Sequence, residues 1–213
     1  MVSEPSLRRL PTYHHLLQTM LAAGVSYVSC TAIAARLQLD STQVRKDLEA
    51  TGIVGKPKVG YPLVDLIHRI EEFLGWNRAK SAVLVGAGHL GTALLRYEKF
   101  RQLGFHVVAA FDEDPAKVGS PIAGTEVLPM ERMIEHCRVL GIRLGVITTS
   151  PLGAQRVADA MVEAGIRAIW NFAPVHLHVP ANVLLQSEDL YRSLASLSFR
   201  LEQMLAAEPG ALL

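Results

Sequence analysis

The sequence predicts an α/β chain in two parts: a small helical module closed by a hairpin, then a doubly wound parallel sheet that ends in one long helix. Three observations carry that expectation. Apolar residues at helical spacing recur in short segments through the first fifty residues, and Gly52 and Gly55 then interrupt them. From Ser81 the period changes to short apolar runs at 82–85, 107–111, 144–147 and 168–170, separated by helix-like stretches, the alternation of a parallel sheet buried on both faces. The first of these runs feeds Gly86-Ala87-Gly88-His89-Leu90-Gly91, a G-x-G-x-x-G between a strand and a helix.

Within the first part, residues 13–23 place Leu16, Leu17, Met20 and Leu21 on one side of a helix that Gly24 stops. Ser29-Cys30-Thr31 starts a second helix with Ile33, Ala34 and Leu37 as its apolar face. Asp40 followed by Gln43 resembles a capping box, with Ser41 as an alternative cap, and opens a third helix over 42–50. On that helix Val44 and Leu48 face the core, while Gln43, Arg45, Lys46 and Asp47 are expected to face out. Residues 54–63 mix Gly, Pro and Lys with a few β-formers, as a short hairpin does. Three short helices and a hairpin describe a winged helix-turn-helix. A further helix over 65–74 leads to a linker, Gly75-Trp76-Asn77-Arg78.

In the second part the expected helices are 92–103, 130–140 and 155–164, with a last strand over 183–185. A final helix runs from Ser187 to about Ala207, with Leu190, Leu194, Leu197, Leu201 and Leu205 in an apolar stripe. The glycine turn makes this sheet a Rossmann domain. Boundaries at 1–77, 78–186 and 187–207 follow.

At 213 residues and 50% hydrophobic, the chain is large enough for one big domain or two small ones with real cores. Formal net charge is +1, so bulk charge points to no partner. Its distribution does: residues 1–60 hold seven Lys/Arg against four Asp/Glu, the remainder fourteen against sixteen, which suits a basic N-terminal module. Two cysteines, Cys30 and Cys137, exclude a disulfide framework and read as buried thiols rather than a redox pair. No secretory signal or membrane-length apolar run is visible, so a cytoplasmic protein is expected.

The glycine motif gains weight from its setting. Gly86 suits a tight turn, Gly88 a close approach to a pyrophosphate, and Gly91 close packing of helix on strand, with helix N–H groups of Ala87 to Leu90 near the anion. Asp112 ends the next strand 21 residues after Gly91, near the spacing of roughly 20 for an acid that binds an adenosine ribose. Asp112-Glu113-Asp114 would repel a 2′-phosphate and no Arg directly follows, so NAD(H) is favoured over NADP(H). Lys117 reaches a phosphate or is a solvated lysine. The nicotinamide belongs beyond the later strand ends, where Thr148, Thr149, Ser150 and Asn171 offer polar groups and Phe172 offers a ring to pack on, unless it is a core aromatic.

The third helix has the polarity of a recognition helix. Ser41, Thr42 and Gln43 stand at its start, Arg45 and Lys46 suit guanine or phosphate, and Lys56 and Lys58 on the hairpin suit flanking backbone. An exposed Arg-Lys pair is otherwise merely solvated. No acid–base set for hydride transfer is evident: Tyr97 has Arg101 rather than Lys four residues on, and His176-x-His178 lacks further metal ligands. No enzyme and no metal are therefore expected. The alternatives are an NAD-dependent oxidoreductase with an N-terminal dimerisation module, or a binding protein for CoA or an adenylate.

Gln43-Val44-Arg45-Lys46-Asp47-Leu48, the glycine motif at 86–91, Phe111-Asp112-x-Asp114-Pro115-x-Lys117-x-Gly119 and Asn171-Phe172-Ala173-Pro174 follow in that order. Together, over about residues 7–205, they resemble the Rex family of bacterial redox-sensing transcriptional repressors. The resemblance implies a winged helix joined to a Rossmann domain and a homodimer through a domain-swapped C-terminal helix. It implies pseudo-palindromic operator DNA as partner and release when NADH binds. It places Tyr97 near NADH and Asp189 where the family carries an acid that reports redox state.

Three departures stand out. The family's Arg-Gly-x-Gly-Tyr wing reads Lys56-Pro57-Lys58-Val59-Gly60-Tyr61, so lysines must supply the charge. Glu49 and Ala50 replace a common Ser and aromatic. Tyr13-His14-His15 replaces a common Tyr-x-Arg, so His15 is a candidate partner for Asp189, in a pair that protonation of the histidine would strengthen.

Overall fold

Helix α1 begins earlier than its apolar spacing suggests, at Ser3, whose side chain accepts the Ser6 N–H at 3.3 Å; the helix is Glu4–Ala22. In this computed structural model, which describes residues 2–207 with the side chain of Leu190 excepted, Pro11 lies inside that helix. Proline removes one helical hydrogen bond and crowds the preceding turn. The buried row Leu10, Tyr13, His14, Leu17 and Met20 holds the helix together across it.

The chain divides between Ala79 and Lys80 into two compact units. In the first, β1 (Tyr27–Val28) precedes α2 (Cys30–Leu37), capped by Ser29 accepting the Ala32 N–H at 3.1 Å. Helix α3 (Ser41–Glu49) is capped by Asp40, whose Oδ1 accepts the N–H groups of Thr42 and Gln43 at 2.8 and 3.0 Å. Strand β2 (Tyr61–Pro62) lies antiparallel to β1, and α4 (Leu63–Phe73) follows at once. The expected hairpin over 54–63 is thus a wing: one bridge, Lys56 to Gly60, closes its tip and its return strand pairs with β1. Gly60 has φ +98°, and a Cβ there would strike the Val28 carbonyl. Leu10, Leu17, Ile33, Val44, Leu48, Leu66 and Ile70 form the core of this unit.

One expectation fails on α3. Asp47 does not face out; it is 1% exposed. Arg9 of α1 grips it through Nε and Nη2 at 2.6 and 2.8 Å, and Tyr13 Oη donates to it at 2.7 Å. Burial opposes ionisation of this carboxyl. The hydrogen bonds from Arg9, Tyr13 and Ser6 outweigh it and hold Asp47 below the usual carboxylate range. Position 47 lies three residues after Val44, on the inward side of the helix, and charge is tolerated there because its partners reach it.

The second unit is a six-stranded parallel sheet. Its strands are β3 (Lys80–Val85), β4 (Phe105–Asp112), β5 (Val127–Pro129), β6 (Leu144–Ile147), β7 (Ala168–Asn171) and β8 (Leu184–Ser187), in the order β5-β4-β3-β6-β7-β8. The order reverses between β3 and β6, so a crevice opens beyond the carboxyl ends of those strands. Val83 and Val85 point to one face, with Phe111, Met133, Ile147 and Met161. Leu84 points to the other, with Ala110, Val127 and Val146. Both faces are therefore covered.

Details depart from the periodicity. The helix expected over 92–103 is two: α5 (His89–Leu95) and α6 (Glu98–Gln102), with Tyr97 extended between them. The break sets Phe100 against Phe105 and Trp170, at ring separations of 5.6 Å each. Strand β5 is too short to show a period. After it a 3₁₀ turn, Met130–Arg132, leads into α7 (Met133–Val139), and α8 is Pro151–Glu163. The last helix, α9 (Leu190–Ala207), starts three residues later than expected because Ser187 belongs to β8. Every described side chain from Tyr191 to Ala207 is exposed, Leu194, Leu197, Leu201 and Leu205 among them.

The Asp47 cluster yields a stability prediction with a defined pH sign. Asp47→Asn leaves Arg9 without its counter-charge and should cost about 3 kcal/mol in the unfolding of the first unit, the scale for breaking a buried pair. A depressed carboxylate stabilises above its unfolded pKa of about 4 and loses that contribution as pH falls through the folded value. Urea titrations should therefore show a constant deficit at neutral pH that shrinks in acid. A deficit independent of pH would mean that packing, not charge, is what the substitution removes.

Candidate functional site

The crevice of the second unit is built by three backbone segments that approach one another closely. Gly86 adopts φ +101°, and a Cβ on it would sit 2.8 Å from the Thr148 carbonyl carbon. A Cβ on Gly91 would strike the Gly86 carbonyl oxygen. Gly88 differs: a Cβ there meets nothing within 4 Å, so its missing side chain leaves open space rather than relieving a clash. Two of the three glycines thus permit a close backbone approach and the third leaves open space.

Above them lies a cavity of about 250 Å³ lined by Gly86, Gly88, Asp112, Glu113, Lys117, Thr148, Thr149 and Ser150. Sequence reasoning named all eight. It missed Val85, Met130, Gly153 and Val157, which complete the lining; apolar and glycine positions carry no chemical signal of a pocket. Asp112 is 8% exposed. Its Oδ2 accepts the Ala87 N–H at 2.7 Å and the Lys117 ammonium at 3.1 Å, and Oδ1 accepts the Asp114 N–H at 2.9 Å. Burial opposes its ionisation, but these donors, the Asp114 N–H and Lys117 foremost, prevail and keep it below the ordinary carboxylate range. Asp112 therefore also ties the glycine turn to the end of β4.

The polar groups at the later strand ends behave differently from one another. Thr148 donates its hydroxyl to the carbonyls of Gly86 and Val85, at 2.7 and 3.1 Å, and so clamps the glycine turn. Asn171 is fully buried and spends its amide on Ala173, Val175 and Ser187. It shapes the turn after β7 through these bonds. Thr149 Oγ1 is buried without a hydrogen-bond partner, and Ser150 is exposed at the start of α8. Phe172 is partly buried against Trp170, rings 4.7 Å apart. His89 and Leu90 are exposed on the first turn of α5, and Ala87 is buried behind them. Tyr97 is half exposed and meets the Phe100 ring edge to face at 4.9 Å.

The first unit carries a second candidate surface. Thr42, Gln43, Arg45 and Lys46 are exposed on α3, with Ser41 half-buried. Arg45 joins Lys56, Lys58, Ser29 and Thr31 around an open groove of about 470 Å³ between α2, α3 and the wing. Ser29 and Thr31 carry only a helix-start signal in sequence; the fold brings them beside the wing. Cys30 lies at the same groove, its Sγ 3.8 Å from the Tyr61 hydroxyl, and burial pushes that tyrosine up to about 12. Burial also pushes Cys137 up to about 11, so it is a protonated thiol near neutral pH.

His15 is exposed on α1, and Asp189 accepts the Arg192 N–H at 3.1 Å at the start of α9; they lie in different units. The engaged histidine is His14, with Nε2 2.8 Å from Glu71 Oε1 and its ring edge-on to Trp76. His176 and His178 stack edge to face, and among the described residues no group of three or more His, Cys, Asp or Glu is placed to hold a metal. No described helix is long and apolar enough to cross a membrane.

Comparison with known proteins places both surfaces in one context. The CoA binding domain family matches residues 77–175, and the N-terminus of putative DNA-binding proteins matches residues 1–49. The redox-sensing transcriptional repressor Rex of Treponema denticola is 46% identical over 193 residues, covering 91% of this chain and 92% of that protein. Rex of Pelotomaculum thermopropionicum is 44% identical over 202 residues, 95% of each. Among solved structures, the Rex-family repressor RSP in complex with β-NAD⁺ and operator DNA matches with a TM-score of 0.91 at 33% identity, covering 96% of this chain and 94% of that one. RSP in complex with β-NADH matches with a TM-score of 0.86, covering 96% of both chains. Relatives named as repressors, this similar along nearly the whole length, show that the chain belongs to the Rex family of redox-sensing transcriptional repressors.

Proposed function

We propose that this chain is a repressor that binds operator DNA and lets go when NADH occupies its crevice. The observation that carries the reading is the match, over 96% of the chain, to one repressor solved both with β-NAD⁺ on operator DNA and with β-NADH. Ionised Asp112 beside the open space at Gly88 suits the ribose and pyrophosphate of NAD(H), and Glu113 and Asp114 beside it disfavour a 2′-phosphate. In this reading Ala87 to Leu90 and Lys117 flank the phosphates and ribose. Thr149, Ser150, Phe172 and Tyr97 surround the nicotinamide end, where the unpartnered Thr149 hydroxyl has a hydrogen bond to give.

Arg45 and Lys46, with Thr42 and Gln43, enter the major groove, and Lys56 and Lys58 hold the flanking backbone. Residues 1–77 are the DNA-binding domain, 78–186 the nucleotide domain and 187–207 a helix swapped onto a second copy. The exposed stripe of α9 supports that last assignment, since a helix with this much apolar surface needs a covering partner. Such a homodimer reads a pseudo-palindrome in the cytoplasm, and His15 and Asp189 form part of its switch. NADH and NAD⁺ differ by a hydride and one positive charge, and the ligand acts through its differential affinity for the two arrangements.

Gel-shift titration on operator DNA checks the whole reading: NADH should release the complex and NAD⁺ should not. An unchanged shift at saturating NADH would end it. Asp112→Ala should weaken NADH by about tenfold, the scale of a hydrogen bond to a charged group, and leave operator affinity without nucleotide intact. Arg45→Ala with Lys46→Ala should lower operator affinity and reduce the salt dependence by about one unit for each phosphate no longer neutralised, with NADH affinity unchanged by calorimetry.

A further inference from the structure

Trp170, which has no role above, is the hub of an aromatic cluster. Its ring meets Phe172 at 4.7 Å, Phe100 at 5.6 Å and Phe105 at 6.2 Å, and Phe100 meets Tyr97 at 4.9 Å. On its polar side the indole N–H donates to Glu188 Oε1 at 3.0 Å. Glu188 is the first residue after β8, and its own N–H continues the ladder to the Asn171 carbonyl at 2.8 Å. The next residue, Asp189, accepts the Arg192 N–H in the first turn of α9. On the other side, Phe172 is held to the end of β6 by its N–H on the Ile147 carbonyl at 2.8 Å, and β6 leads into Thr148, Thr149 and Ser150 of the cavity wall.

A continuous run of hydrogen bonds and ring contacts therefore joins the cavity wall to the root of α9. We infer that the Trp170–Glu188 hydrogen bond is the link through which an occupied crevice repositions α9, with Trp170 and Glu188 as positioning residues. This rests on the sensor reading above. Packing alone would ask only for a large ring at 170. The indole N–H adds a directional bond to a carboxylate, and both partners are only partly buried. A ring displaced by ligand therefore pulls on one defined atom of the segment that starts the helix. Tyr97 and Phe172, the aromatic groups assigned to the nicotinamide end, both touch this cluster. Glu188 is thus the point where a change at the ring becomes a change in helix direction.

A physical path carries coupling only if cutting it changes the coupling. The quantity to measure is the ratio of operator dissociation constants with and without saturating NADH, by fluorescence anisotropy on the full-length protein, together with the NADH dissociation constant. Trp170→Phe keeps a ring and removes the N–H; Glu188→Ala removes the acceptor. Each should cut the ratio about fivefold or more, while NADH affinity and nucleotide-free operator affinity stay within about threefold of wild type. Glu188→Gln, whose amide oxygen still accepts from the indole, should restore most of the ratio, which a merely structural role for the carboxylate would not predict. Should one variant fail to fold, the other still decides. A responsive wild type with an unchanged ratio in both Trp170→Phe and Glu188→Ala overturns the link alone. A wild type indifferent to NADH overturns the sensor reading and the link with it.

Discussion

Between the ends of β3 and β6 the backbone leaves no room for a side chain. Gly86 turns with positive φ against the Thr148 carbonyl, Gly91 passes over the Gly86 carbonyl, and the Thr148 hydroxyl closes the approach from the other side. The crevice of the second unit follows from that approach. It brings α5 down onto the sheet, fixes the floor of the crevice, and brings the Ala87 N–H within reach of Asp112. A methyl group at Gly86 or Gly91 would separate strand and helix, and the carboxylate would lose its hold on the turn. The alternation of Val83 and Val85 to one face and Leu84 to the other then builds both cores from a single strand.

The first unit depends on an interaction of another kind. Arg9 and Asp47 are thirty-eight residues apart in sequence, yet they set the angle of the basic helix. Asp47 points inward with Val44 and Leu48, so Arg45 and Lys46 are turned outward. Attaching α3 to α1 by a paired charge fixes orientation more tightly than apolar packing alone, because a bidentate guanidinium accepts few geometries. Gly60, seated against the Val28 carbonyl, fixes the wing in the same way.

Much of this is legible in the sequence where local chemistry and local geometry coincide. The glycine turn, Asp112, the Asp40 cap and the long final helix α9 are each decided within a short stretch of chain, and each lies where its pattern puts it. What depends on distant partners is not legible. Asp47 sits in a polar run and reads as exposed, because nothing nearby announces Arg9. Asn171 is polar at a strand end, and nothing near it in sequence announces the bonds it makes to Val175 and Ser187. Pro11 lies inside α1, and a buried row carries the helix past it. The three residues of β5 are shorter than the period that would reveal them. Trp170 and Glu188 lie eighteen residues apart and meet only because β7 and β8 are neighbours.

Asp112 also organises the crevice before any ligand is present. Its two oxygens are engaged by the chain's own donors, the Ala87 and Asp114 N–H groups and the Lys117 ammonium. Asp112 is therefore satisfied by the chain itself. Three donors from two neighbouring segments thus converge on one carboxylate and hold the glycine turn against the end of β4. That edge of the crevice is therefore set in place by the chain itself rather than by what the crevice receives.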